Sequence, residues 1–510
     1  MKRQFRILQI GNASLENRLG QTGVKLDFLD ANFVYQEQSV LEEIYEFIAQ
    51  QKAYQIVLIE APASPALLHV IELVAEPFNL YVKGEYWDDY RNQPEITLNF
   101  ACPVMAEDEE AYIHKLKTIS YNGQYGDKIH AKFWEVRPSL QPYTEHLGNK
   151  WLTVDVDCPS WTPIASLRKL LYYEGNHALE IWPEFKTEGV QLEFTFRVYQ
   201  SGTVDNIIET FKTYSEDMTE PIVRPMIPDE GYVSVTVKAK GNGKVFLGAV
   251  HRRWSRLEFG RFLPGGQVFA DQHRDEFIYL FHPGDMKPPL NVYFSGYRSA
   301  EGFEGYFMML KMGAPFLLIG DPRIEGGGFY LGSEAYESGI KQVIADTLET
   351  LGFADDELIL SGLSMGSFGA IYYGAQLNPQ AVIVGKPLVN VGTIGENMRL
   401  MRPEEFGTAL DVLLTNTGGT TNKHVKALDD KFWTTFEQHD ISRTTFAICY
   451  MEDDDYDLYA FDELLPVLSA HHAKVISRGI PGRHNDDSPT INNWFINFYH
   501  ILMESKFGRV

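Results

Sequence analysis

The chain has 510 residues and a net charge of −24, with 69 Asp and Glu against 45 Lys and Arg, an excess that repels phosphate backbones and excludes nucleic acid as a general partner. A hydrophobic content of 44%, with aromatic residues making up 13% of the chain, is enough for well-packed globular domains. No stretch reaches the roughly 18 to 20 apolar residues that span a bilayer, and the scattered Cys102, Cys158 and Cys449 do not form a disulfide framework.

A reducing cytoplasm is therefore the expected home. The opening Met1-Lys2-Arg3-Gln4-Phe5 segment has positive charge, but its apolar run is too short and broken for a signal peptide, so any membrane association is expected to be peripheral. The length suggests three domains, which the patterning divides at 1–148, 149–287 and 288–510.

In the first segment Phe5 to Ile10, Tyr54 to Ile59 and Leu80 to Val82 read as strands, and Leu41 to Ala49 and Ala66 to Val74 as helices, an alternation that predicts an α/β domain with a parallel sheet. Gly11-Asn12-Ala13-Ser14 follows the first strand where a phosphate loop would sit, but without G-x-G-x-x-G or a Walker lysine it reads as a structural turn.

From 149 to 287 the period changes to near-pure alternation. Leu192, Phe194, Phe196 and Val198 face one way and Glu193, Thr195 and Arg197 the other; Val233, Val235 and Val237 repeat the pattern. Gly241-Asn242-Gly243 supplies a turn before Val245, Leu247 and Ala249, so this segment predicts a β-sandwich resembling a carbohydrate-binding module. Trp151, Trp161, Trp182 and Trp254 lie within it; such rings stack on sugars, although most are expected in the core. The Asp155-x-Asp157 pair is a weak cation candidate and is better read as the polar face of a strand.

Lys287-Pro288-Pro289 reads as the hinge into the third segment. Leu290 to Phe294, Pro315 to Ile319, Leu358 to Leu360, Ala381 to Val384, Thr445 to Tyr450 and Lys474 to Ser477 are six strand candidates with helices between, which predicts a doubly wound sheet. Residues 386–440 show no strand and read as an insertion or cap over the site.

The chemistry is carried by Gly362-Leu363-Ser364-Met365-Gly366, placed where an apolar strand gives way to helical spacing at Phe368, Ile371 and Tyr372. In a nucleophile elbow the serine occupies a strained turn and glycines flank it because a Cβ would collide with neighbouring backbone. The serine then stands at a helix N-terminus that favours developing negative charge, with Met365 N–H as an oxyanion donor. The second donor is expected after an earlier strand, and Tyr297 N–H in Phe294-Ser295-Gly296-Tyr297-Arg298 is assigned to it.

A serine hydroxyl needs a base, and the base needs an acid to orient it. In α/β-hydrolases the order along the chain is Ser, acid, His. His484 follows the last predicted strand and is the expected base; His471 and His472 precede that strand and His500 lies inside the terminal helix. The acid should follow Thr445 to Tyr450, where Glu452, Asp453, Asp454, Asp455 and Asp457 all stand; Asp454 is chosen as far enough past the strand to turn back, with Asp455 second.

With this elbow, the Pro481-Gly482-Arg483-His484-Asn485-Asp486 loop and the opening Phe5-Arg6-Ile7-Leu8-Gln9-Ile10-Gly11, the chain resembles, over its full length, the second type of accessory secretory protein in the accessory Sec system of Gram-positive cocci. That resemblance implies O-acetylation of N-acetylglucosamine on serine-rich-repeat glycoprotein adhesins during export. It implies partnership with the other accessory secretory proteins and the accessory motor ATPase, at the inner face of the cell membrane. The family's serine maps to Ser364, its histidine to His484 and its acid to 452–455, with Glu452 open because members can carry Glu. No metal or cofactor is expected and the acyl donor is not readable. A non-catalytic transport adaptor and a carbohydrate esterase are the competing readings.

Overall fold

The computed structural model describes residues 4–203, 205–401 and 407–509, with 398–401 and 407 as backbone only. Its strands fall into three sheets.

The first contains β1 (Phe5–Gly11), β2 (Val24–Asp30), β3 (Ile56–Glu60), β4 (Leu80–Lys83) and β5 (Cys102–Val104), in the order β2-β1-β3-β4-β5. All four pairings are parallel. Val57, Leu58 and Ile59 are completely buried because helices cover both faces, which is why these strands read as unbroken apolar runs. The edge strands β2 and β5 lack such runs and were not expected. At Gly11 to Ser14 the buried Gln9 amide donates to Ala13 O (2.9 Å) and accepts from Leu15 N–H (2.9 Å), the fastening of a structural turn.

The second sheet is antiparallel: β6 (Gly126–Ile129), β7 (Trp134–Val136), β8 (Thr144–Leu147), β9 (Trp151–Leu167), β10 (Leu171–Tyr173), β11 (Ala178–Gln200), β12 (Ile207–Tyr214), β13 (Ile222–Arg224) and β14 (Gly231–Ser255). Leu192, Phe194, Phe196, Val233, Val235 and Val237 are buried as the alternation requires. Gly241-Asn242-Gly243 is a bend within β14 and not a turn between two strands. A Cβ at Gly243 would lie 1.9 Å from Glu188 O and one at Gly241 2.4 Å from Gly189 O, so only glycine lets β14 fold over while still pairing with β11. Both halves of β14 thereby face one core, in the manner of a sandwich. Asp155 and Asp157 are exposed on β9, and Asp155 faces Lys244 at 3.7 Å, as the polar face of a strand should.

The third sheet is built from β15 (Gln267–Ala270), β16 (Glu276–His282), β17 (Leu290–Phe294), β18 (Phe316–Gly320), β19 (Leu358–Leu363), β20 (Ala381–Gly385), β21 (Thr445–Met451) and β22 (Lys474–Ile480), in the order β15-β16-β18-β17-β19-β20-β21-β22. Pairings from β18 onward are parallel and the two involving β16 antiparallel. Helices Glu334–Leu351 and Met365–Leu377 pack on one face and Ser488–Phe507 on the other. This is the α/β-hydrolase fold.

Strand pairing moves two of the expected divisions. Residues 126–147 pair with the second sheet although they were read with the first segment, and 267–282 pair with the third although they were read with the second. Lys287 to Pro289 therefore connects β16 and β17 of one sheet and is not a hinge. Short strands that belong to a neighbour's sheet leave no compositional break to read. Between β20 and β21 the expected insertion holds helices Val391–Met401, Gly407–Thr417 and Asn422–Gln438; residues 402–406 of it lie outside the described residues.

The second and third sheets are tied by a buried charge network. His251 Nδ1 lies 2.6 Å from Glu301 and its Nε2 2.8 Å from Glu184, while Arg253 pairs with Glu301 at 2.6 Å and with Glu276. His251, Glu276 and Glu301 are close enough to hold a metal ion, but Arg253 supplies the positive charge there. Burial alone would depress the His251 pKa; the charge of Glu301 and the hydrogen bonds of Glu184 and Glu301 outweigh it and push it up to about 9. Burial would raise Glu184 and Glu301, but the hydrogen bond and charge of His251 hold Glu184, and the charges of Arg253 and His251 hold Glu301, at about 2. The histidine contribution is complete below its unfolded value of about 6.5 and lost as pH rises through about 9. The glutamate contributions are complete above the usual carboxylate range and lost as pH falls toward about 2. Urea unfolding should therefore give a midpoint that is flat from about pH 5 to 6.5 and falls from there to about pH 9, and His251→Gln should remove most of that fall.

Candidate active site at the Ser364 turn

Ser364 follows β19 with φ 54° and ψ −122°, a conformation that costs a non-glycine residue roughly 1 to 3 kcal/mol. Its neighbours explain why the turn is held. A Cβ at Gly362 would sit 2.2 Å from Gly366 O, and one at Gly366 2.1 Å from Phe294 O, both backbone atoms that cannot swing away. Ser364 N–H donates to Gly385 O (2.9 Å), and Ser367 Oγ donates to Ser364 O (2.5 Å) while accepting from Leu388 N–H (3.0 Å). Gly366→Ala is expected to destabilise the fold by about 1 to 3 kcal/mol and to displace the serine; thermal melting and labelling by a fluorophosphonate probe would both fall, and an unchanged pair of readings would show that the turn tolerates the methyl.

Three loops from three strand ends converge on Ser364. Its Oγ lies 2.8 Å from His484 Nε2, and His484 Nδ1 lies 2.7 Å from Asp454 Oδ2. Asp454 Oδ1 in turn accepts the Tyr456 N–H at 2.9 Å, and the Tyr456 ring lies 4.2 Å from the imidazole. His484 and Asp454 are 2% and 4% exposed, so water competes little for either hydrogen bond.

Of the acidic run, the structure sets Asp454 on the ring and uses the others differently. Asp455 accepts the backbone N–H of His484 at 3.1 Å. Glu452 and Asp453 donate their backbone N–H groups to Ile480 O and Gly482 O, and the Glu452 carboxylate lies beside Gly479. Asp457 accepts the N–H groups of Val389 and Asn390 at 2.8 Å each, tying the acid loop to the start of the insertion; burial pushes its carboxyl up.

Met365 N–H opens the helix Met365–Leu377, among the first amides that such a helix leaves without intrahelical partners. The loop after β17 is close by, since a Cβ at Gly296 would lie 3.2 Å from Leu363 O. In it the Gly296 N–H is taken by Glu304 (2.7 Å), and the Tyr297 ring covers Gly326.

Two residues at the site were not anticipated. Glu304 holds the loop after β17, and Lys386, in the left-handed region at φ 55°, bonds Ser488 Oγ at 2.8 Å. Burial lowers the Lys386 pKa, with the Asp454 charge opposing it. Neither sits in a motif; each is recognised only by what it meets in space.

Sheet order, the strained serine at the end of β19, and acid and histidine after β21 and β22 define an α/β-hydrolase-fold protein whose side chains are arranged for acyl-transfer chemistry. The chain belongs to the accessory Sec system GspB-transporter family, whose model matches residues 5–509. It is 52% identical over 514 residues to an accessory Sec system protein of Staphylococcus aureus (strain NCTC 8325 / PS 47), covering 100% of this chain and 98% of the relative. An accessory Sec system protein of Streptococcus gordonii is 42% identical over 412 residues, 80% of each chain. Among solved structures it matches a chain of the Glycosylation Associate Protein (Gap123) complex from Streptococcus agalactiae with a TM-score of 0.89 and 33% identity, covering 100% of both. Among the described residues no helix is long and apolar enough to cross a membrane.

Proposed function

We propose that this accessory Sec component is a serine O-acetyltransferase that acetylates N-acetylglucosamine on serine-rich-repeat glycoprotein adhesins as they are exported. The observation that carries the reading is the continuous Ser364–His484–Asp454 hydrogen-bonded chain at a strained helix N-terminus, in a member of an export family.

His484 Nε2 takes the Ser364 proton as Oγ attacks the acyl carbonyl of the donor. Asp454 holds the Nδ1–H tautomer and stabilises the imidazolium. Met365 and Tyr297 N–H groups are assigned to the oxyanion, each such donor being worth about 2.7 to 4 kcal/mol of transition-state stabilisation. Collapse leaves an acetyl-serine and releases the donor's leaving group with the proton from His484. A sugar hydroxyl then gives its proton to His484, attacks the acetyl carbonyl, and Ser364 Oγ leaves and is reprotonated. No metal or cofactor enters this sequence. The three-helix insertion between β20 and β21 favours transfer by limiting water at the mouth. The Streptococcus agalactiae relative is described as part of a Gap123 complex, and a complex of this chain with other accessory secretory proteins, together with contact with the motor ATPase, would place it in the cytoplasm against the membrane face.

The test compares acetyl content of the adhesin glycan in cells carrying wild type or Ser364→Ala, with adhesin export scored separately. Lower acetylation in the variant supports transfer, higher acetylation shows an esterase, and unchanged acetylation with export retained shows an adaptor.

A further inference from the structure

We propose that the cleft between Trp151 and the insertion helix Gly407–Thr417 binds a neutral pyranose of the glycan acceptor, about one helix length from Ser364. It deepens the transferase reading and rests on it for the identity of the glycan.

Of the four tryptophans singled out in the sequence, Trp151 lines a cleft against the insertion, with Lys150 Nζ 5.2 Å from its ring centroid, and the other three rings meet neighbours of their own. Trp182 is 3% exposed beneath the Arg274 guanidinium at 3.5 Å. Trp254 stacks on His177 at 4.1 Å, and Trp161 leans on Tyr214 at 5.5 Å. Trp151 is half-buried and lies over Gly248, where a Cβ would come 2.8 Å from Cζ3, so the glycine lets the indole settle against the sheet. Phe246 stands nearly perpendicular to it at 6.3 Å. Both rings line a cleft of about 470 Å³ whose opposite wall is Leu414, Thr415 and Asn416 of the insertion. An apolar ring facing hydroxyl and amide groups is the pairing a pyranose uses, its C–H face on the ring and its hydroxyls on the polar wall.

Three charges of the cleft already have partners, and Lys186, its Nζ 5.7 Å from the Phe246 ring centroid, adds a donor beside the rings. Lys150 is paired with Asp275 at 3.0 Å, Lys431 with Glu337 at 2.5 Å, and the Asp411 carboxylate accepts from Asn149 N–H at 2.7 Å and Asn149 Nδ2 at 3.1 Å. A neutral sugar leaves all three intact.

The same helix reaches the elbow. Thr408 Oγ1 donates to Gly327 O at 2.7 Å, and Gly327 packs on the Met365 side chain, next to Ser364. From Thr408 to Thr415 the helix rises about 10 Å, the scale of a short oligosaccharide. A sugar held at Trp151 would thus present a later unit of the same glycan to the serine.

The experiment uses the full chain, chitotriose as the acceptor probe and p-nitrophenyl acetate as a small ester. Trp151→Ala should leave ester hydrolysis at the wild-type rate and weaken chitotriose, raising its KM for acetyl transfer and its Kd by roughly three- to tenfold, with Trp151→Phe restoring part of the loss. An unchanged Kd in Trp151→Ala, or no chitotriose binding by wild type, overturns the cleft. Binding that is Trp151-dependent without any acetyl transfer or ester hydrolysis by wild type upholds the cleft and overturns the transferase reading instead.

Discussion

Replacing Ser364 with alanine is expected to abolish fluorophosphonate labelling and to lower turnover of an activated acetyl ester by roughly ten-thousand- to a million-fold, the range seen when a triad nucleophile is removed. The magnitude follows from the lack of a substitute. Ser367, the nearest hydroxyl in the turn, donates to Ser364 O and accepts from Leu388 N–H, so its oxygen is committed to the backbone. The fold should be nearly unaffected, because alanine loses only the 2.8 Å bond to His484 while occupying the same strained backbone. A variant with normal melting that still labels would place the nucleophile elsewhere; one that retains turnover without labelling would point to direct water attack assisted by His484.

Asp454→Asn is the second large effect, expected near ten-thousand-fold in turnover. An amide in place of the carboxylate presents either an acceptor or a donor to His484 Nδ1, and the donor orientation forces the wrong tautomer, with Nε2 protonated and unable to take the serine proton. The imidazolium formed during attack also loses its counter-charge in a site where both residues are nearly inaccessible to water. Asp455→Asn serves as the control. Its oxygen accepts only the backbone N–H of His484 at 3.1 Å, a bond that an asparagine oxygen can keep, so its effect should be far smaller. Steady-state turnover of the acetyl ester across pH for both variants decides the matter. A larger loss in Asp455→Asn than in Asp454→Asn would reassign the acid.

Much of this site is legible in the amino-acid sequence, because its parts are local. The elbow needs two glycines at fixed offsets from a serine, and the collisions at Gly362 and Gly366 are with backbone only a few residues away or on an adjacent strand. The base was singled out because the loop after the last strand holds one histidine. The acid was harder. Five acidic side chains within six residues look alike as letters, and Asp454 is distinguished only by the direction in which the loop after β21 turns, a direction set partly by Asp457 holding Val389 and Asn390. Glu304 and Lys386 were out of reach for the same reason.

Periodicity set the three kinds of sheet and six of the eight strands of the hydrolase sheet, since a strand buried on both faces or on one must show that in its own residues. Which strands share a sheet was settled only by long-range pairing: 126–147 and 267–282 join sheets away from their neighbours in the chain, and β14 bends through three residues that elsewhere would turn it back. Local pattern records how deeply a segment is buried. Its partner is chosen by hydrogen bonds and packing across hundreds of residues, and that information resides in no single stretch.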